Sequence, residues 1–431
     1  MKYRCLSLLL AFATISASAG TNHVFRVAAD RPGAVYKPGE TVTFVITLSL
    51  DEPAAPEAVD VAWTLTKDGV PPTTNGRVRL VDGRATVTGS LGEPGFLQCR
   101  AGYRGSNGLS LSALGGAAID PLRIRPSLPV PDDFDAFWAG QKKKLQAIPP
   151  VAHLTPVPWS QRDVECFDVQ VDCLGPPVSG YMARPVGAKP KSLPILLYTH
   201  GAGVRSSGLG GTVSWAKNGM LAMDINAHGL PNGKPDEFYK ALNDGEYKEY
   251  RTRGRESRET VVYLGMFLRL VRALDFLTAQ PEWDGRTAIV HGTSQGGYQS
   301  IVAAGLDPRV SFFAAGVPAG CDHTGFKVGR IDGWPKFIAT GEDPPPNVVE
   351  AVRYFDAVNF AARARAPGII TVGFIDTTCP PTGVYAAYNA LSGRKQIFDD
   401  IPTGHANSPE AMKAMRDAIN AHVAEMKTAV R

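Results

Sequence analysis

Thr287-Ala288-Ile289-Val290-His291-Gly292-Thr293-Ser294-Gln295-Gly296-Gly297-Tyr298-Gln299-Ser300-Ile301-Val302-Ala303-Ala304 is the stretch that decides the fold. Its first five residues read as a short buried strand, and the run from Tyr298 reads as a helix. Between them lies G-x-S-x-G, with glycine two residues before and two residues after Ser294. A serine at a sharp strand-to-helix turn has a strained backbone and an exposed hydroxyl, and only small neighbours let strand and helix approach that closely. The pattern predicts a nucleophile elbow with Ser294 as the nucleophile.

A serine hydroxyl attacks only when a base takes its proton, and the base needs a third group to orient it. Reading forward from Ser294, the apolar run 368–375 ends at Asp376, and Thr377-Thr378-Cys379-Pro380-Pro381 follows. The next run, Lys395-Gln396-Ile397-Phe398, leads through Asp399-Asp400-Ile401-Pro402-Thr403-Gly404 to His405. Ser294, Asp376 and His405 thus come in the order nucleophile, acid, base, each just after a strand. Among the other histidines, His23 and His153 fall outside the catalytic core, His422 is on the last helix and His291 is in the strand below the elbow. His323, after the strand that follows the elbow, is expected to line the pocket. The oxyanion needs two preorganised donors: the Gln295 N–H, and one from His200-Gly201-Ala202-Gly203, assigned to Ala202.

Around these motifs, short apolar runs at 193–199, 220–225, 287–291, 310–315, 368–375 and 395–398 alternate with helical stretches. Such alternation means a mostly parallel sheet covered by helices on both faces, here an α/β-hydrolase fold. Val164 to Val169 and Val178 to Ala183 precede it as an antiparallel pair. The charged stretch 232–262, with Tyr239, Tyr247 and Tyr250, is expected to be a helical insertion over the strand ends. Residues 22–125 lack helical periodicity. Turn signals at Lys37-Pro38-Gly39, Asp68-Gly69, Asn75-Gly76, Asp82-Gly83 and Glu93-Pro94-Gly95 separate alternating runs such as Thr41 to Thr47, which predicts an immunoglobulin-like β-sandwich. Pro126 to Pro131 reads as a stiff linker.

Lys2 and Arg4, the apolar run from Leu6 to Ile15 and Ala17-Ser18-Ala19 form the pattern of a secretory signal. The expected organisation is therefore a signal peptide at 1–19, a sandwich at 20–125, a linker and helix at 126–159 and a catalytic domain at 160–431. A periplasmic or secreted location follows. The apolar stretch is too short to span a bilayer. The 431 residues carry a formal net charge of +4, with no basic run longer than Lys142-Lys143-Lys144, which argues against nucleic acid as a partner. Of six cysteines, five remain after the signal, and they are expected to be buried thiols. Tyr36, Trp63 and Tyr103 are expected in the sandwich core. No metal motif is present, neither H-E-x-x-H, C-x-x-C nor an Asp/Asn calcium loop. Gly201-x-Gly203 starts like a dinucleotide fingerprint, but Ser206 stands at the third glycine, so no cofactor is expected.

From about residue 131 the chain resembles the acetyl xylan esterase and cephalosporin C deacetylase family. The resemblance is carried by Asp133 to Trp138, Arg272 to Leu277, Gly292 to Gly297, Val317-Pro318 with Cys321-Asp322, and Asp376 to Pro381 followed by Tyr385-Ala386-Ala387-Tyr388-Asn389. It implies an exported serine esterase that removes acetyl groups from carbohydrates such as acetylated xylan, and it is compatible with an oligomer. Pro318 and His228, with His323, are the expected substrate-binding residues. Three features depart from the family pattern: Asp224 to Gly229 replaces an arginine-glycine-glutamine motif, Ala202 an oxyanion-loop tyrosine, and Ala406 a glutamate. Two alternatives use the same residues: a prolyl oligopeptidase-type serine peptidase, and a silent hydrolase fold serving as a carbohydrate-binding or surface protein.

Overall fold

The computed structural model describes residues 23–50, 58–70, 74–105, 108–339 and 341–428. The signal-like segment 1–19 lies outside them.

The first domain contains β1 (Val24–Ala29), β2 (Val35–Tyr36), β3 (Val42–Ser49), β4 (Ala58–Lys67), β5 (Thr74–Val81), β6 (Arg84–Gly89), β7 (Gly95–Arg104) and β8 (Ser110–Ile119). Alternation builds it: Val42, Phe44, Ile46 and Leu48 of β3 point inward, while Thr43 and Thr47 point out. β1, β3 and β6 pair as one layer, and β5, β4, β7 and β8 as the other. Among the described residues the strand ladder passes between the layers at the β5–β6 hairpin, through the pair Val81↔Arg84 around Asp82-Gly83. Their inner faces share one core with Val61, Leu65, Leu97 and Cys99, and Tyr36 and Tyr103 are buried in it. One expected turn is wrong. Asn75-Gly76 lies inside β5, with Gly76 opposite Trp63. The glycine is there for space, because a Cβ on it would come within 2.8 Å of the Trp63 ring.

The second domain contains α1 (Phe134–Gln146), β9 (Ala152–Pro156), β10 (Val164–Cys173), β11 (Gly175–Pro185), β12 (Leu193–Thr199), α2 (Leu209–Lys217), β13 (Leu221–Ile225), α3 (Asp236–Asp244), α4 (Val262–Thr278), β14 (Trp283–Thr293), α5 (Gln295–Leu306), β15 (Phe312–Gly316), α6 (Pro346–Arg353), α7 (Ala357–Ala361), β16 (Gly368–Gly373), α8 (Pro381–Ala390), β17 (Lys395–Asp400) and α9 (Pro409–Thr428). Its sheet runs β17-β16-β15-β14-β12-β13-β11-β10-β9, parallel from β17 to β13 and antiparallel beyond. Both faces are buried, so the central strands are apolar throughout and successive residues go to opposite cores. Ile195, Leu197, Ala288, Val290, Phe313, Ala315, Ile370 and Val372 face the α4–α5–α8 side. Leu196, Ile289, Phe312, Ala314 and Ile369 meet Met415 and Ile419 of α9 on the other.

The stretch 126–159 is more than a linker. β9 extends the hydrolase sheet by pairing with β10, and Phe134, Phe137, Trp138 and Leu145 of α1 enter the main core. The proline-rich run itself is pinned: Asp322 accepts from the Ser127 N–H and hydroxyl, and Arg353 donates to the Pro129 carbonyl. The sandwich docks on the catalytic domain through Phe96, whose ring meets Phe374 edge-on at 5.0 Å. Gln98 donates to the Phe374 carbonyl, and the Thr382 hydroxyl to buried Asp68. The described cysteines are unpaired and buried. No helix among the described residues is long and apolar enough to cross a membrane.

Candidate active site

The elbow forms where β14 turns into α5. Ser294 has φ 61° and ψ −120°, a conformation that L-residues avoid at a cost of roughly 1–3 kcal/mol. Close approach explains the glycines around it. A Cβ on Gly296 would come within 1.9 Å of the Thr199 carbonyl, one on Gly292 within 2.4 Å of the same oxygen, and one on Gly297 within 2.8 Å of the Gly316 carbonyl.

The structure brings the three distant residues of the sequence reading together. His405 Nε2 lies 2.8 Å from Ser294 Oγ, and His405 Nδ1 lies 2.8 Å from Asp376 Oδ2. Asp376 is 1% exposed, and its other oxygen accepts from the Thr378 and Cys379 N–H groups at 2.8 Å each. The histidine loop reaches this position because Gly373, at the end of β16, has no side chain. A Cβ there would meet the Thr403 and Gly404 carbonyls at 2.3 and 2.4 Å. Asn407, just beyond, donates to Thr293 and accepts from Thr371, which ties the loop to two strand ends.

The loop after β12 lies beside Ser294, since a Cβ on Gly201 would sit 3.8 Å from the Ser294 Cβ. The N–H groups of Ala202 and Gln295 have no protein acceptor among the described residues. The Gly203 N–H is taken, donating to the Tyr250 hydroxyl at 3.3 Å. That hydroxyl donates in turn to Gln295 Oε1 at 3.1 Å, which ties the oxyanion loop to the elbow. Sequence reasoning noticed Tyr250 in the insertion but gave it no role. Nothing in its local pattern marks it, because the contact spans 45 residues.

The expected substrate-binding residues are corrected. His323 is 1% exposed, lodged between Tyr298 and Phe337, and burial holds its imidazole down to about 3. It is a neutral core residue, not a pocket wall. Pro318 is buried beneath α5, its Cα 3.1 Å from where a Gly297 Cβ would be. His228 is buried behind Tyr247 and Tyr250, at ring distances of 4.7 and 4.5 Å. Burial and the nearby Arg269 charge hold it down to about 3. It is buried and packs against the Tyr250 ring.

Asp376, Cys379 and His405 also place a carboxylate oxygen, a sulfur and an imidazole nitrogen within 4.8 Å of one another. Such a group could hold a metal ion. Here Asp376 and His405 bond each other, and burial plus the Asp376 charge push the Cys379 thiol well up.

An elbow serine, a free pair of N–H groups and a carboxylate–imidazole pair at the strand ends of a doubly wound sheet define an α/β-hydrolase. The acetyl xylan esterase (AXE1) family model matches residues 119–417. Acetyl esterase Axe7A of Xylanibacter ruminicola is 32% identical over 369 residues, covering 84% of this chain and 82% of that protein. The chain therefore belongs to the acetyl xylan esterase family and is a carboxylic ester hydrolase. The acetyl xylan esterase from Paenibacillus sp. R4 overlays with a TM-score of 0.61 at 29% identity, over 70% of this chain and 98% of its own. Acetyl xylan esterase 1 from Thermoanaerobacterium sp. JW/SL YS485, at 20% identity and a TM-score of 0.59, shares the fold over 70% of this chain and 97% of its own.

Proposed function

We propose that this protein is an exported serine esterase that releases acetate from acetylated xylan or xylo-oligosaccharides through an acyl-enzyme. The observation that carries the reading is the continuous contact from Ser294 Oγ to His405 to buried Asp376, at 2.8 Å on each side of the imidazole. His405 Nε2 takes the Ser294 proton as Oγ attacks the ester carbonyl. Asp376 keeps the Nδ1–H tautomer and balances the imidazolium. The oxyanion forms against the Gln295 and Ala202 N–H groups, and loss of either donor costs roughly 3 kcal/mol of transition-state stabilisation. Collapse of the tetrahedral intermediate breaks the bond to the sugar oxygen, which takes the His405 proton and leaves as a hydroxyl. Water then attacks the acyl-enzyme with His405 as base, freeing acetate and Ser294.

Sugar as the alcohol is supported by the names of the relatives and by the signal-like segment, and acetyl as the acyl group by the same relatives. The test is acetate release from acetylated xylo-oligosaccharides by wild type, with Ser294→Ala inactive. Equal release by both proteins would sink the reading. Export is checked by N-terminal sequencing of the mature protein, expected to start at Gly20.

A further inference from the structure

A cleft of about 440 Å³ lies between the two domains, within the size range of sites that hold small ligands. One wall is the outer face of the sandwich. Thr64 and Thr66 of β4 stand opposite Arg100 and Gln98 of β7, and the alternate residues Leu65, Cys99 and Ala101 are buried inside. The other wall is the catalytic acid loop, Asp376 and Thr377, with Lys336. The carboxylate that holds His405 therefore lines this cleft, one imidazole away from Ser294.

Around Phe96 and Phe374 the surface between the domains is apolar and filled. This cleft is open and, beside Leu114, Ile331 and Pro380, is lined with threonine hydroxyls and two cations. The Arg100 guanidinium and the Lys336 ammonium have no ion-pair partner among the described residues. Lys336 is also held at φ 56°, a left-handed conformation at which glycine would be unstrained. The lining carboxylates are turned inward: Asp376 to His405 and two backbone N–H groups, Asp68 to Thr382 and the Phe96 N–H. The open face is therefore cationic.

We propose that this cleft is a carbohydrate subsite for an acidic glycan, a xylan chain bearing uronic acid branches, with Arg100 and Lys336 receiving the branch carboxylate. The Thr64 and Thr66 hydroxyls would meet the sugar hydroxyls, so the sandwich domain forms part of the substrate site. The inference rests on the esterase reading and adds the substrate class.

The test uses the full chain carrying Ser294→Ala and calorimetry with two deacetylated probes, unbranched xylotetraose and xylotetraose bearing one glucuronic acid. The branched probe is expected to bind about tenfold more tightly, as a charge-assisted contact implies. That advantage should shrink as salt is raised. The added pair Arg100→Gln and Lys336→Gly should abolish it, while Arg100→Lys alone keeps part of it. Equal binding of the two probes overturns the inference, as does an advantage that survives the paired substitution. The branched–unbranched comparison and its salt dependence need no change to the cleft, so a misfolded variant would not rescue the idea. Acetate release by wild type from unbranched acetylated xylo-oligosaccharides is measured in parallel. If that is absent, the esterase reading fails; if it is present with equal probe binding, only the subsite fails.

Discussion

At the scale of the residue, Ser294 is held beside His405 by groups that keep its neighbours in place. Asp376 has one oxygen on His405 and the other on two backbone N–H groups, so its orientation is over-determined. Asp376→Asn keeps the shape but favours the wrong imidazole tautomer, and kcat is expected to fall by roughly 10⁴ with the fold intact. Steady-state kinetics beside a thermal melt would check this; a loss under tenfold would count against the role. The elbow glycines make a separate prediction. Gly296→Ala drives a Cβ into the Thr199 carbonyl and should cost about 3 kcal/mol or more of stability. Gly201→Ala meets nothing nearer than 3.5 Å and should leave the melting temperature within about 2 °C of wild type. Gly292 and Gly296 were legible in the sequence because G-x-S-x-G encodes a backbone clash. Asp376 and His405 were legible because each follows an apolar strand in a fixed order. His228 and His323 were misread because a histidine's burial depends on residues far along the chain, Tyr247 and Tyr250 in one case and Phe337 in the other.

At the scale of the element, three loops from different strands are joined by one tyrosine. The Tyr250 hydroxyl accepts from the N–H of Gly203, next to the candidate donor Ala202, and donates to the side chain of Gln295, the other candidate oxyanion donor. Tyr250→Phe removes both bonds, each worth about 1 kcal/mol, and should lower kcat about tenfold with KM nearly unchanged. Kinetics on a small acetyl ester would read this out, and a change confined to KM would show that Tyr250 contacts substrate instead. The strands were readable because both of their faces are buried, which makes them short apolar runs. β9 was missed because Ala152–Pro156 is mostly exposed, and its register comes from pairing with β10 rather than from its own pattern. Asn75-Gly76 misled for the opposite reason: a turn dipeptide was used to make room for an indole.

At the scale of the whole molecule, Asp68 links sandwich to hydrolase, and burial pushes its carboxyl up to about 7 from an ordinary value of 3.8. The folded state then holds a proton that the unfolded chain has released. Its stabilising effect is present below about pH 4 and is lost as pH rises through about 7. Asp68→Asn keeps an acceptor for Thr382 and Phe96 without the buried charge, so it should melt higher than wild type at pH 8 by several degrees. Near pH 4 the difference should vanish; a gap independent of pH would rule out this assignment. The two domains were legible from the change in periodicity near residue 125, but the cleft between them was not. It depends on which face of β4 and β7 turns toward the acid loop, and no local pattern records that. Every functional statement rests on Ser294 becoming acylated, and this can be measured directly. A fluorophosphonate-treated sample, digested and analysed by mass spectrometry, should carry the adduct on the peptide containing Ser294, with His405→Ala suppressing it. Esterase activity that persists in Ser294→Ala, with no adduct on Ser294 in active wild-type protein, would contradict the account.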